Sequence, residues 1–324
     1  MPVSRPLEIA GFLERHGWGN ADAQALPGDF SPRRYAWLAK PGGGTAILMD
    51  ADIGQKTPAF VALAGILRAH GLDAPEIYAA EAARGLVLMQ DFGNRTVGAA
   101  IDAGEDAEPY LLRAADGLAK LHGSFAPADV TGLDLPLFDA ALFAQQAELF
   151  LDAWLPFAKK RDATENERAD FRDTWLAVLR PFDKMPRSLL LRDFMPDNLM
   201  DVPDGRLGVL DFQDAGIGPV AYDIASLCEE VRRDGMFARL PVVIGHYIEQ
   251  AQSPVAQNDL LRACTVFSAQ RHTRILGIVA QLALRQGRRD KLAYVPRIQN
   301  HLRRVMAEPC LAPVRAWMEG IDGL

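Results

Sequence analysis

Residues 188–218 limit the fold of this chain more than any other feature, because they interrupt a long series of helical patterns with strand and turn signals. The stretch opens on the apolar run 189–191 and returns as the apolar strand 207–210 after the turn sequence Pro-Asp-Gly at 203–205. The helical patterns around it cover residues 109–122, 140–154, 165–179, 222–231, 241–251, 260–284 and 296–306. We therefore expect a large helical domain with strands embedded at its middle.

The same stretch carries three polar residues whose order suits phosphoryl transfer. Asp193 follows the first strand, Asn198 comes five residues later, and Asp211 ends the second strand. Two strands that flank a polar loop should bring these side chains close together. Phosphoryl transfer needs a carboxylate that orients the attacking hydroxyl and accepts its proton, a role that suits Asp193. It also needs oxygen ligands for Mg²⁺, a role that suits Asn198 and Asp211.

The first ninety residues differ from the rest because strand signals outnumber helical ones. Strands are predicted at 34–39, 45–49, 76–78 and 85–90, and the first two form a hairpin around a glycine-rich turn. Thr57 is predicted as the N-cap of a helix that ends at Gly71. The sequence thus predicts an α+β protein with a small β-rich lobe at residues 1–92 and a large, mostly helical lobe at 93–324.

Composition narrows the class of protein. The formal net charge of -7 argues against a nucleic-acid partner, since phosphate backbones need a basic face. Three cysteines fit neither a disulfide framework nor a zinc site, and no pair of the six histidines has metal-ligand spacing. Residues 1–11 lack the apolar core of a signal peptide, and no apolar run approaches the ~20 residues of a membrane span. We expect a cytoplasmic protein, a monomer or weak dimer, whose partner is a small-molecule acceptor.

The order Asp193, Asn198, Asp211 resembles the catalytic loop and metal-binding segment of the protein kinase superfamily. The amino-acid sequence of residues 209–215 and 218–227 is similar to that of the aminoglycoside phosphotransferase and choline kinase family. Within that family the chain most resembles the bacterial anomeric kinases of N-acetylmuramate and N-acetylglucosamine. Further resemblance lies at residues 33–35, 48–51 and 270–277.

The resemblance implies a bilobal protein-kinase-like fold that binds ATP and Mg²⁺. Asp193 would be the catalytic base, with Asn198 and Asp211 as the Mg²⁺ ligands. Asp223 would brace the catalytic loop, although by itself it is also a plausible helix N-cap. The joint at residues 90–94 would receive the adenine, with contacts from Gln90, Asp91 and Phe92. Asp91-Phe92-Gly93 spells the kinase metal motif, but it precedes the catalytic loop and is therefore interpreted as a connector between lobes.

The chain departs from the family pattern at two positions. Leu191 stands where the family usually has a histidine that supports the loop, and Met49 stands near the usual phosphate-binding lysine. We infer that another cation supplies the missing charge; the candidates are Arg33, Arg34 and Lys56. Residues 28–34, which include Ser31, are interpreted as the loop that approaches the phosphates.

The acceptor is less well determined by the sequence. Arg271 and His272 could line its pocket or could pack against the catalytic loop, and Asp197 and Asp214 could supply carboxylates. The first hypothesis is a kinase of the anomeric hydroxyl of an amino sugar, which the interleaved arginines favour. The second is a kinase of another small acceptor such as an aminoglycoside, choline or homoserine. The third is a nucleotide-binding pseudokinase.

Overall fold

The structure is a computed structural model that describes residues 4–27, 33–52 and 56–321. The α-helices are α1 (Arg5–Arg15), α2 (Thr57–Ala69), α3 (Val97–Asp102), α4 (Ala107–Ser124), α5 (Ala140–Ala147), α6 (Leu155–Lys159), α7 (Glu165–Leu179), α8 (Ala221–Cys228), α9 (Leu240–Ala251), α10 (Gln257–Gln286), α11 (Val295–Val305) and α12 (Ala312–Gly320). The β-strands are β1 (Asp22–Leu26), β2 (Arg34–Ala39), β3 (Thr45–Asp50), β4 (Ile77–Glu81), β5 (Leu86–Met89), β6 (Arg187–Leu190), β7 (Leu199–Asp201), β8 (Leu207–Val209) and β9 (Gly216–Pro219).

The chain divides into two compact units. The strand-rich unit comprises Met1–Glu105, Asp129–Leu133 and Pro196–Asp214. The helical unit comprises Asp106–Ala128, Asp134–Met195 and Ala215–Leu324. Across the described ranges, no helix combines the length and the apolar character that a membrane crossing demands.

The strand-rich unit contains a five-stranded antiparallel sheet in the order β1-β2-β3-β5-β4. The hairpin predicted from the glycine-rich turn is present as β2 and β3, with Arg34 opposite Asp50. Gly43 and Gly44 in its turn have φ of 95° and 94°, a conformation that glycine adopts without strain. The strand predicted at 76–78 lies slightly later, as β4, and the sequence reading missed β1.

Two helices complete the core of this unit. Phe12 and Trp18, in and just after α1, pack against Leu38 and Leu48 of the sheet, although the sequence reading did not predict α1. Helix α2 begins at Thr57 itself, with Lys56 at the N-cap position, so the predicted cap at Thr57 is wrong by one residue. The threonine hydroxyl makes no hydrogen bond to any residue that the structure describes, and the side chain is buried.

Residues 196–214 form a separate two-stranded hairpin, β7–β8, within the strand-rich unit. The Val209 amide donates to the Asp73 carbonyl at 2.8 Å, which fastens the hairpin to the segment after α2. Gly208 is required there, because a Cβ at this position would lie 2.6 Å from the Phe92 ring. The rings of Phe60 and Phe212 stack at 4.9 Å and fix the segment that follows Asp211.

The helical unit is organised around α10, which packs against α5, α8 and α11. Phe143, Tyr222 and Phe267 form its aromatic core, with ring centroids 5.1–5.9 Å apart. Strand β6 pairs with β9, so the strand that precedes the polar loop is bonded to the segment immediately before α8. The helix predicted at 140–154 is interrupted, since α5 ends at Ala147 and a wider π-helical turn follows at Phe150–Trp154.

Gly277 should be essential for the packing of α10. A Cβ at this position would lie 2.4 Å from the Leu149 carbonyl oxygen, which belongs to backbone and cannot yield. We expect Gly277→Ala to lower the free energy of unfolding by about 1–3 kcal/mol, the usual cost of overpacking. Thermal and urea denaturation measure the change.

Gly65→Ala is the matched control for this prediction. Gly65 also lies inside a helix, α2, but a Cβ there would meet nothing within 4 Å. The added alanine should therefore stabilise the protein by up to about 1 kcal/mol through helix propensity. Equal stability of the two variants would contradict the close approach at Gly277.

Candidate active site

The loop after β6 is held by one buried carboxylate of the helical unit. Asp223, in the first turn of α8, accepts hydrogen bonds from the amides of Leu191 at 2.7 Å and Arg192 at 2.9 Å. Ser226 adds a bond from its hydroxyl to the Arg192 carbonyl at 3.1 Å. The predicted bracing role of Asp223 is confirmed, and the alternative as an N-cap is wrong because Val220 occupies that position.

The bracing is strong enough to hold strained backbone. Arg192 has φ of 72°, a left-handed conformation that is uncommon for residues other than glycine. Burial raises the pKa of Asp223 to about 7, while the two amide donors and Arg271 oppose that rise. The left-handed backbone at Arg192 is therefore held by hydrogen bonds to one buried carboxylate.

Asp193 follows this strained residue and is accessible to a ligand. Its side chain is 34% exposed, and Arg271 Nη2 lies 3.7 Å from its Oδ1 atom. Arg271 comes from α10, is itself only 3% exposed, and also approaches Met195 Sδ at 3.6 Å. Arg271 thus packs against the loop that carries Asp193, which is one of the two predicted alternatives, and a contact between Arg271 and an acceptor stays a prediction.

His272 is placed differently from its neighbour. Its side chain is 0% exposed, and its Nδ1 atom lies 3.1 Å from Ser268 Oγ. Burial holds the pKa of His272 well below its usual range, so the imidazole is neutral at neutral pH. A contact between His272 and an acceptor stays a prediction, and it would require the surrounding side chains to move.

The two proposed metal ligands meet in the strand-rich unit. Asn198 Nδ2 lies 3.4 Å from Asp211 Oδ2, and the Leu210 amide donates to the Asn198 carbonyl at 2.9 Å. Asp211 has φ of 62°, so its backbone is also held in the left-handed region. Gln213 donates from Nε2 to Asp211 Oδ1 at 2.7 Å, a contact that the sequence reading missed.

This arrangement provides oxygen atoms for a hard cation. The Asp211 carboxylate and the Asn198 amide oxygen are ligand types that Mg²⁺ prefers. The predicted proximity of Asn198 and Asp211 is therefore present. Asp193 belongs to the other unit, and its position relative to this pair stays a prediction.

The candidate phosphate-binding cations have distinct surroundings. Ser31 and the rest of residues 28–32 lie outside the described residues. Arg33 is buried, with its guanidinium 6.0 Å from the Phe60 ring. Arg34 is more exposed and pairs with Asp50 at 2.9 Å and Asp52 at 3.1 Å.

Met49 and Lys56 both concern which cation replaces the usual phosphate-binding lysine. Met49 is fully buried in β3, so no charged side chain occupies that place in the sheet. Lys56 Nζ lies 2.8 Å from Asp214 Oδ1, and both side chains are about half exposed. Asp214 is thus paired with the ammonium group of Lys56. Asp197 lies in a single 3₁₀ turn at Pro196–Asn198.

The predicted adenine-binding joint forms ordered structure within the strand-rich unit. The Gln90 amide donates to the Glu76 carbonyl at 2.8 Å. Asp91 accepts from Trp37 Nε1 at 2.9 Å and from the Gly93 amide at 2.8 Å. Phe92 is buried against Gly208. Contacts from these residues to an adenine stay predictions.

Comparison with known proteins identifies the family. Residues 22–261 match the phosphotransferase enzyme family. The chain belongs to that family. The phosphotransferase is 31% identical over 301 residues to an N-acetylmuramate/N-acetylglucosamine kinase of Pseudomonas aeruginosa, a match that covers 90% of this chain and 86% of the relative.

Solved structures agree on the fold of this phosphotransferase. Aminoglycoside 2'-phosphotransferase-IIIa, solved in complex with GDP, superposes with a TM-score of 0.64 at 14% identity, over 93% of this chain and 99% of that one. Choline kinase LicA from Streptococcus pneumoniae superposes with a TM-score of 0.63 at 16% identity, over 94% and 100%. The predicted α+β, protein-kinase-like fold is confirmed, and so is the prediction of an enzyme that transfers phosphate to a hydroxyl group.

Proposed function

We propose that this phosphotransferase transfers the γ-phosphate of ATP, with Mg²⁺, to the anomeric hydroxyl of an amino sugar, either N-acetylmuramate or N-acetylglucosamine. The observation that carries the chemistry is the braced loop, in which Asp223 holds the amides of Leu191 and Arg192 and leaves Asp193 accessible. The choice of acceptor is supported by the relative from Pseudomonas aeruginosa, which matches most of both chains.

In the proposed reaction Asp193 orients the acceptor hydroxyl and takes its proton as the oxygen attacks the γ-phosphorus. The bond between that phosphorus and the β,γ-bridging oxygen breaks, which yields the sugar phosphate and ADP. Mg²⁺ would offset the charge that develops on the phosphate oxygens, and Asn198 and Asp211 would hold it. Asp223 acts indirectly, because it fixes the backbone from which Asp193 projects.

Arg271 supports an uncharged or anionic acceptor over a cationic one. Its guanidinium is buried beside Asp193, so an acceptor held there would meet a fixed positive charge. The guanidinium offsets the charge of the Asp193 carboxylate and so weakens the attraction of that carboxylate for a cationic acceptor such as an aminoglycoside or choline. An N-acetylated sugar has no such charge, and the carboxylate of N-acetylmuramate would be attracted.

Further expectations from the sequence remain part of the proposal. Gln90, Asp91 and Phe92 are proposed to contact the adenine, and Ser31, Arg33 and Arg34 the phosphates. Arg271, His272, Asp197 and Asp214 are proposed to surround the acceptor. A lobe boundary after Phe92, a cytoplasmic location and a monomeric or weakly dimeric state are likewise proposed, with no role for nucleic acid or membrane.

A panel of acceptors tests the proposed function. Purified protein, MgCl₂ and ATP are mixed separately with N-acetylmuramate, N-acetylglucosamine, kanamycin, choline and homoserine, and ADP release is followed. We expect turnover only with the two amino sugars, and loss of turnover when their anomeric hydroxyl is replaced by a methyl glycoside. Turnover with kanamycin, choline or homoserine would favour the second hypothesis. ATP binding without turnover on any acceptor would favour a pseudokinase.

A further inference from the structure

Three buried side chains of the helical unit converge at a place that the proposed reaction does not use. Glu229 follows α8, His272 lies on α10 and His301 lies on α11. Each offers one ligand atom, and these atoms all lie within 4.8 Å of one another. We propose that this Glu229–His272–His301 cluster is a binding site for one zinc-type divalent transition-metal ion. This inference is independent of the proposed acceptor.

The first argument is the donor set. Two imidazole nitrogens and one carboxylate oxygen are a familiar three-residue set for Zn²⁺, which completes its tetrahedron with water or another ligand. Tetrahedral Zn–N bonds of 2.0–2.1 Å place neighbouring ligand atoms roughly 3.4 Å apart. His301 Nδ1 already lies 3.5 Å from Glu229 Oε2. This separation matches one edge of the tetrahedron. Side-chain rotations would bring the remaining pairs of ligand atoms, which lie within 4.8 Å of one another, to the same spacing.

The second argument is that both histidines bury a nitrogen that forms no well-aligned hydrogen bond within the described residues. Neither His272 Nε2 nor His301 Nδ1 forms such a bond in the part of the chain that the structure describes, although the residues are only 0% and 5% exposed; His301 Nδ1 has the long 3.5 Å contact with Glu229 Oε2. A buried polar atom without a good hydrogen bond is costly, and a bound ion is one explanation for it. The two rings lie with centroids 5.0 Å apart, so both nitrogens belong to the same small volume.

Neighbouring residues hold the ligands in place. Ser268 Oγ lies 3.1 Å from His272 Nδ1, and in the tautomer in which Nδ1 donates to that oxygen the lone pair of Nε2 is available to a metal. Arg304 forms a short hydrogen bond to the Glu229 carboxylate and stacks over Phe237 at 3.9 Å. Arg304 therefore anchors the carboxylate and allows it to be buried when no ion is bound.

An entry route is present on the outer side of the cluster. His301 and Arg304 line an open cleft of about 660 Å³, together with Phe237, Tyr294 and Asn300. The cleft could admit a hydrated ion and supply the water that completes the coordination. A metal ion here would join the end of α8 to α10 and α11. Because α8 carries Asp223 and α10 carries Arg271, the ion would stiffen the two helices that hold Asp193.

Zinc binding to the full chain tests the proposal. The protein is treated with a chelator, dialysed, and titrated with ZnCl₂ alone, while bound zinc is counted by elemental analysis and the melting temperature is followed. We expect one Zn²⁺ per chain and a higher melting temperature. Glu229→Gln and His301→Gln should each weaken binding by at least about tenfold, since each removes one of three ligands. Absence of stoichiometric zinc, or unchanged affinity in both variants, would overturn the proposal.

His246→Gln is the matched control. Its imidazole lies on α9, contacts Asp116 at 2.6 Å and is not a member of the cluster, so its loss should leave the zinc stoichiometry and affinity unchanged. If His301→Gln does not fold, Ser268→Ala provides a milder variant that removes only the partner of His272. It should still weaken zinc binding severalfold. If His246→Gln lost zinc while Ser268→Ala retained it, the ion would be bound outside the cluster, and the proposal would be overturned.

Discussion

Replacing Asp193 by asparagine should lower kcat for the amino-sugar acceptors by roughly 10²–10⁴-fold, the usual contribution of a positioned general base. Asparagine has nearly the same shape, so the loop should keep its conformation. Its amide, however, cannot accept the proton of the attacking hydroxyl. The KM for ATP should change little, because Asp193 is assigned to the acceptor. Steady-state ADP release with each substrate varied in turn separates these effects.

Asp204→Asn serves as the control for Asp193→Asn. Asp204 lies in the exposed turn between β7 and β8, where it pairs with Arg206. Its replacement should leave kcat within about twofold of the native value, as expected for a surface pair of small energetic worth. If Asp193→Asn retained more than a tenth of the native kcat, Asp193 would not be the base. Unchanged melting temperatures would show that loss of activity does not come from unfolding.

Replacing Asp211 by asparagine should raise the Mg²⁺ concentration required for half-maximal activity by at least about tenfold, and should lower kcat/KM by on the order of 10². Asp211 offers the full negative charge of the proposed pair, and Asn198 contributes only a neutral oxygen. The substitution suits the backbone, since asparagine tolerates the φ of 62° found at this position. The fold should therefore survive while metal binding weakens. Activity measured over a range of MgCl₂ concentrations at saturating ATP tests this.

Gln213→Ala provides a graded comparison with Asp211→Asn. Gln213 donates to Asp211 Oδ1 and orients the carboxylate without supplying charge. Its removal should shift the Mg²⁺ requirement in the same direction but by a smaller factor than Asp211→Asn. An identical Mg²⁺ requirement in the native protein and Asp211→Asn would remove Asp211 from the metal site.

Local signals were sufficient for several elements. Helix α7 spans the predicted residues 165–179, because Thr164 and Glu167 form a capping box that fixes its start. The β2–β3 hairpin follows from a turn that only glycines make easily. By contrast, α1 and β1 were missed. Every residue of β1 is exposed, so the strand shows no alternation of buried and exposed positions, and α1 is stabilised by packing of Phe12 on the sheet.

The residues of the candidate active site also divide into those that the sequence indicated and those that it did not. The order of Asp193, Asn198 and Asp211 could be recognised in the sequence, because phosphoryl transfer calls for those residue types in one loop and at the end of the strand after it. Gln213 was missed, since a glutamine two residues beyond a carboxylate has no distinctive pattern. The bracing by Asp223 was anticipated from resemblance alone, and the structure supplied its physical basis in two amide hydrogen bonds.

The sequence by itself determined the reaction class, the fold class and most helices, because turn residues, caps and periodic apolar positions act over short distances along the chain. Only the tertiary structure decided which distant groups share a volume. No spacing rule connects Leu191 with Asp223, and none connects Glu229, His272 and His301, which come from three different parts of the chain. Such contacts are set by how helices pack, and packing depends on the shapes of all the side chains between them.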